Sequence, residues 1–154
     1  VTPLVVLAAL ASLPSSLDTP ADVDAIFPKD VLIVQASEYA CYRFDVYLAA
    51  DGPRRSRGLM HVRKLPESTG MLFVYNESDY RSMYMRNTYI SLDIAFIRAD
   101  GDIVNIAKAT EPLSLKSIYS TEPATYVLEL KAGITDRLHI DEDSRVLWGP
   151  IFGE

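Results

Sequence analysis

The sequence holds one cysteine, Cys41, and two histidines, His61 and His139. One cysteine excludes an intramolecular disulfide, so the fold must rest on its apolar core. Two histidines exclude a three-histidine metal centre, and no His-x-Glu-x-x-His spacing is present, so no metal is expected. The seven glycines form no phosphate-cradling loop, and no cofactor is expected. Positive charge is short as well: 15 Lys and Arg against 21 Asp and Glu give a net charge of −6. A chain that neutralises phosphates normally carries a basic surplus, so nucleic acid is not expected as a partner. No apolar run approaches the ~20 residues that cross a bilayer, and no internal period suggests a solenoid.

What is present is a globular composition of 154 residues, 49% hydrophobic and 23% charged, enough for one domain with its own core. Nine Tyr, five Phe and many Val, Ile and Thr favour strands over helices. Pro3–Leu13 is an uncharged apolar run followed by Pro14, Ser15 and Ser16. It is too short to span a membrane and fits the apolar segment of a secretory signal, so residues 1–17 are read as an export signal remnant. That reading makes the protein periplasmic or secreted, with no membrane span in the mature form. Residues 18–28, acidic and bounded by prolines, read as a linker, and 29–154 as a single domain.

Along that domain, Val31–Ala36 reads as a strand apolar on both faces, pairing antiparallel with an alternating strand over Tyr39–Ala50. Cys41 falls in this second strand, where a buried, inert thiol is expected. Pro53 at a helix start and Gly58 as its stop predict a short helix between them. Met71–Tyr75 is apolar on both faces and hence central. Ser91–Arg98 and Ile103–Lys108, joined by Ala99-Asp100-Gly101-Asp102, read as a hairpin. Met83–Asn87, Thr125–Lys131 and Arg145–Trp148 read as further strands, Ala132–His139 as a second short helix, and Glu111–Pro123 as a long loop. About eight strands and two short helices predict a mainly β fold, a curled antiparallel sheet or small open barrel.

Several segments, in this order, resemble domain of unknown function 192 (DUF192). They are Arg57-Gly58-Leu59-Met60, Gly70-Met71-Leu72-Phe73, Met85-Arg86-Asn87-Thr88, Leu92-Asp93-Ile94-Ala95-Phe96-Ile97 and Val127-Leu128-Glu129-Leu130. Tyr119-Ser120, Pro123-Ala124 and Ala132-Gly133 add to the match, which runs from about Val31 to Val146. The resemblance implies a small β-rich fold, often exported, and carries no established activity. Tyr84 and Arg86 depart from the family's usual Trp and Lys while keeping an aromatic body and a positive charge. Asp141-Glu142-Asp143-Ser144 replaces the usual Gly-Asp turn before the last strand.

Asp93 is the residue of most chemical interest, because it shares a largely apolar strand face with Ala95 and Ile97. A carboxylate there needs a cation or several N–H donors. Arg57 and Arg86 are the candidate cations, and the Asn87-Thr88 turn offers donors that would lock the hairpin. The functional reading joins Arg57, Arg86, Asn87, Thr88 and Asp93 into a polar pocket for a small anionic or polar ligand. The protein is then an exported binding or assembly module. The rival is a hydrolase-like enzyme built on the same pocket. A triad of Ser120, His61 and Asp93 can be written down, although no nucleophile elbow surrounds Ser120. Glu129 reads as a salt-bridged edge position. Gly52–Pro66 carries Arg54, Arg55, Arg57, Arg63 and Lys64 without an acidic residue, either a solvated turn or an anion patch. Met60, Met71, Met83 and Met85 suggest core packing first and a Cu(I) site, with His61 as a further ligand, as the third reading.

Overall fold

The structure, a computed structural model, describes residues 21–152. The export-signal reading of 1–17 lies outside the described residues. The elements are α1 (Ala21–Ile26), β1 (Lys29–Ser37), β2 (Ala40–Ala49), α2 (Gly52–Arg57), β3 (Thr69–Asp79), β4 (Ser82–Met83), β5 (Leu92–Ile97), β6 (Ile103–Ala107), β7 (Ile118–Tyr119), β8 (Ala124–Lys131), α3 (Ile134–Arg137) and β9 (Arg145–Leu147), followed by a 3₁₀ turn at Gly149–Phe152. Among these no helix is long and apolar enough to cross a membrane.

Seven strands form one sheet in the order β6-β5-β8-β3-β2-β1-β9, and β4 pairs with β7 as a separate ribbon. The mainly β, curled-sheet expectation holds. The sheet bends until its two edges meet, with Asp102 beside β6 bridging Arg145 of β9. Val146 N donates to Gly101 O at 2.8 Å there, and Arg145 Nε to Asp102 Oδ1 at 2.7 Å. All pairs in the large sheet are antiparallel except one. β2 and β3 run parallel, because α2 and the segment 58–68 carry the chain back across the sheet before β3 begins.

Strand alternation splits the interior in two. Leu32, Val34, Phe44, Val46, Leu72, Ile97, Leu128, Leu130 and Val146 fill the inside of the curl. Met71, Phe73, Leu92, Ile94, Phe96 and Val127 point to the other face, under α1, Met83 of β4 and the loops that hold Leu59, Val62, Leu65 and Met85. β8 is buried along its length except at Lys131, which makes it the spine of both cores.

Residues 21–28, read as linker, instead contribute α1 and the residue after it: Val23 of the helix and Phe27 just beyond it are 1% and 3% exposed. Phe27 stacks edge-on against Tyr47, with ring centroids 6.4 Å apart, so this segment closes the outer core. The expected strand over 83–87 shrinks to Ser82–Met83, and the loop over 111–123 gains β7, which pairs with it. The predicted second helix contracts to the single turn of α3. Cys41 is exposed, contrary to the buried thiol expected. The Asp141–Ser144 turn closes on itself, with Asp141 N donating to Ser144 Oγ at 3.0 Å and Ser144 N to Asp141 O at 3.1 Å.

Candidate functional site

Asp93 is 1% exposed and faces the inside of the curl. Its Oδ1 accepts the Ala109 N–H at 2.9 Å. Its Oδ2 accepts the N–H groups of Gly133 and Thr135 at 3.0 and 3.1 Å and the Thr135 hydroxyl at 2.7 Å. Four donors satisfy the carboxylate in full, so it needs no cation. The expected pairing with Arg57 or Arg86 is therefore corrected, and so is locking by the Asn87-Thr88 turn. Asp93 ties the loops after β6 and β8 to β5. It also steadies Ala109, held at a left-handed φ of 48° that a Cβ disfavours. The physical reason is strand parity. Both arginines belong to segments on the far side of the sheet, where Leu92, Ile94 and Phe96 point.

On that far side lies an open cleft of about 370 Å³. α2 supplies Arg55 and Arg57, and the chain after it supplies Leu59 and Met60. Phe73 and Tyr75 of β3, Met83 of β4, Tyr84, Arg86 and Thr88 complete the walls, and Glu129 of β8 forms the floor. The helix is set by its caps: Asp51 accepts the Arg54 N–H at 2.9 Å, Pro53 lies in the first turn, and Gly58 ends it at φ 48°. A Cβ at Gly58 would lie 3.3 Å from the Phe73 ring, so the missing side chain lets the wall close. His61 N donates to Asn87 O at 2.8 Å, joining the α2 side of the cleft to the 86–88 turn. Both residues have positive φ, 68° and 54°.

The guanidinium groups are held differently. Arg55 donates to Ala50 O at 3.0 Å and to Val74 O at 2.9 Å and lies over the Tyr75 ring, 4.9 Å from its centroid. Arg57 is fixed by Asp22 Oδ2 of α1 at 2.6 Å and by the Met60 carbonyl. Arg86 is exposed and forms no ion pair among the described residues. Thr88 is buried and donates to Arg86 O at 3.1 Å, which shapes the turn. Asn87 is exposed beside the cleft, its amide 3.9 Å from Met60 Sδ. Of the five residues read from sequence, Arg57, Arg86 and Thr88 come together in the lining, Asn87 flanks it, and Asp93 lies elsewhere.

Glu129 is the cleft residue that the sequence reading did not include in the candidate site. It is neither at an edge nor salt-bridged. β8 runs between β3 and β5, and Glu129 is flanked by Met71 and Ile94. It is 5% exposed, and its Oε2 is buried without a hydrogen-bond partner. Burial pushes its carboxyl up from 4.5 to about 8, so at neutral pH it holds its proton. Tyr75, beside it, is raised first by its own burial; Arg81 and Arg55 pull it back, and Glu129 adds to the rise. The one sequence signal is a carboxylate in the middle of Thr125–Lys131, otherwise a strand of central character.

The other expected groups do not assemble. Ser120 Oγ accepts the Arg81 N–H at 2.8 Å, and His61 Nδ1 sits 3.1 Å from the Tyr89 hydroxyl, so no triad forms with Asp93. Met60 and Met83 line the cleft, whereas Met71 and Met85 are buried in the core, Met85 Sδ taking the Thr110 hydroxyl at 3.2 Å. In the basic stretch, Arg54 pairs with Asp51 and Arg57 with Asp22, and Arg63 lies over the Tyr89 ring.

The DUF192 family, described as "Uncharacterized ACR", matches residues 18–148. A crystal structure from Sinorhizobium meliloti 1021, of a protein described provisionally as a transcription regulator, is 37% identical with a TM-score of 0.76. The match covers 78% of this chain and 93% of that one. A protein of unknown function from Novosphingobium aromaticivorans DSM 12444 is 31% identical with a TM-score of 0.75, over 78% of this chain and 85% of that one. Comparison with curated proteins gave no match.

Proposed function

This chain belongs to the DUF192 family, and from that premise we propose that it is a small binding module whose cleft takes up an anionic ligand through Arg55, Arg57 and Arg86. The observation that carries this reading is that three arginines line one cleft of about 370 Å³, a size suited to a small molecule. Arg55 and Arg57 are pre-set by carbonyls and by Asp22, which lowers the cost of ordering them around a ligand. Arg86 supplies a charge with no partner of its own among the described residues. The apolar run Pro3–Leu13 supports export as part of the same reading. Direct DNA binding, one way to regulate transcription, finds no support in a net charge of −6.

Thermal-shift measurements with acetate, butyrate and inorganic phosphate on the full chain and on Arg86→Ala test the reading. A ligand at 100 times its Kd should stabilise the wild type by about 2.7 kcal/mol and lose most of that effect in Arg86→Ala. If no anion shifts the wild type, or Arg86→Ala responds equally, the reading fails. A second reading, a hydrolase-like enzyme in the same cleft, is favoured by one observation: a floor carboxyl poised near 8 is suited to proton transfer. Turnover of an ester or amide that disappears in Glu129→Gln would support it. A Cu(I) site stays third, since only Met60 and Met83 of the four methionines line the cleft.

A further inference from the structure

We infer that the ligand is bipolar: its anionic end lies with the arginines and a protonated amine at its other end reaches Glu129. This rests on the anion-binding reading and narrows it to a chemical class. The cleft lining holds guanidinium groups and one carboxyl, Glu129, that form no ion pair with each other. Arg55 is tied to Ala50 O and Val74 O, and Arg57 to Asp22 and Met60 O, so neither guanidinium turns inward to Glu129. Glu129 makes no ion pair among the described residues, and its Oε2 has no hydrogen-bond partner. The charged or titratable groups around it are Tyr75 from β3, Arg55 and Arg57 from α2, and Arg86 after β4, with Arg81 stacked on the Tyr75 ring at 3.8 Å. Met71 and Ile94, its neighbours across the sheet, offer it nothing polar.

An unpartnered buried acceptor costs free energy that a ligand donor recovers. A simple anion would leave Oε2 unsatisfied, and a simple cation would meet the guanidinium groups. An amine joined to an acid group satisfies both ends, and the apolar wall of Leu59, Phe73 and Met83 suits a methylene spacer between them. The proton balance follows: the Glu129 carboxylic acid gives up its proton to solvent, and the ligand ammonium takes that place beside the carboxylate.

Isothermal titration calorimetry on the full chain at pH 7, in two buffers of different ionisation enthalpy, tests this. The probes are glycine, β-alanine, 4-aminobutyrate and 5-aminopentanoate against acetate, propionate, butyrate, pentanoate and inorganic phosphate. One amino acid of the series should bind about tenfold tighter than the carboxylate of its chain length, the size of one charge-assisted hydrogen bond. It should release about one proton on binding, and both effects should vanish in Glu129→Gln while Arg86→Ala weakens every probe. Plain carboxylates or phosphate binding as tightly without proton release would overturn the inference and leave the anion reading standing. Unchanged amino-acid binding in Glu129→Gln would also overturn it. Failure of every probe to bind would sink both.

Discussion

Two buried carboxylates on neighbouring strands, Asp93 on β5 and Glu129 on β8, meet opposite treatment. The register places Asp93 beside Leu130 and Ile94 beside Glu129, so the two residues are almost adjacent yet point to opposite faces of the sheet. Asp93 receives four donors, three of them backbone N–H groups. Glu129 leaves an oxygen without any. A buried acid that is fully satisfied is a fastener, and one that is not is a cost the fold carries. Glu129 lines the cleft of about 370 Å³, and that is why the proposed site is centred on it.

The most severe way to break the comparison is Asp93→Ala. It strips partners from Ala109, Gly133 and Thr135 at once, and the expected loss is on the order of 4 kcal/mol, read by denaturant unfolding. A loss under about 1 kcal/mol would show that Asp93 is not a fastener.

Glu129→Gln should do the reverse, in a pH-dependent way. The folded-state value is raised, from 4.5 to about 8. Below 4.5 the folded and unfolded chains both hold the proton; above it the unfolded chain releases the proton first. The wild type therefore loses stability relative to Glu129→Gln as pH rises from about 4.5 to 8, with a slope approaching 1.4 kcal/mol per pH unit, and the difference levels off above that. Urea unfolding of both proteins at pH 5, 7 and 9 reads the sign directly. A wild type that gains on the variant with rising pH contradicts it.

Gly70→Ala probes the strand pair beneath the cleft. A Cβ there would fall 2.6 Å from the Glu129 carbonyl oxygen and 2.8 Å from Leu130 Cδ2, forcing β3 away from β8. A cost of about 2 kcal/mol is expected in chemical denaturation, together with a downward shift of the Glu129 titration as water enters. The smallest stability effect belongs to Arg86→Ala, within about 0.5 kcal/mol, because an exposed side chain without an ion pair holds nothing together. Its effect should appear in ligand binding alone.

Sequence pattern makes most of the sheet legible. The Ala99–Asp102 turn, the alternation in Tyr39–Ala50 and the doubly apolar Met71–Tyr75 each report a local choice, and the structure places all of them in strands or turns of the expected kind. What stays hidden is non-local. The two apolar anchors of the N-terminal segment, Val23 in α1 and Phe27 just after it, sit among acidic residues that read as a linker until Tyr47 is seen beneath them. Asp93 is legible as buried, but its main partners are backbone N–H groups at 109, 133 and 135, which any sequence could supply. Glu129 reads as a salt-bridged edge position because it shares a strand face with Lys131; only the pairing of β8 between β3 and β5, which no local pattern reports, makes it central.

The most direct test is a ¹³C-carboxyl NMR titration of Glu129 in the folded protein. A midpoint near 8 is expected, with the acid form dominant at pH 7. A midpoint close to the ordinary 4.5 would mean that water or a cation already serves this carboxyl, and it would contradict the contrast with Asp93 on which the site rests.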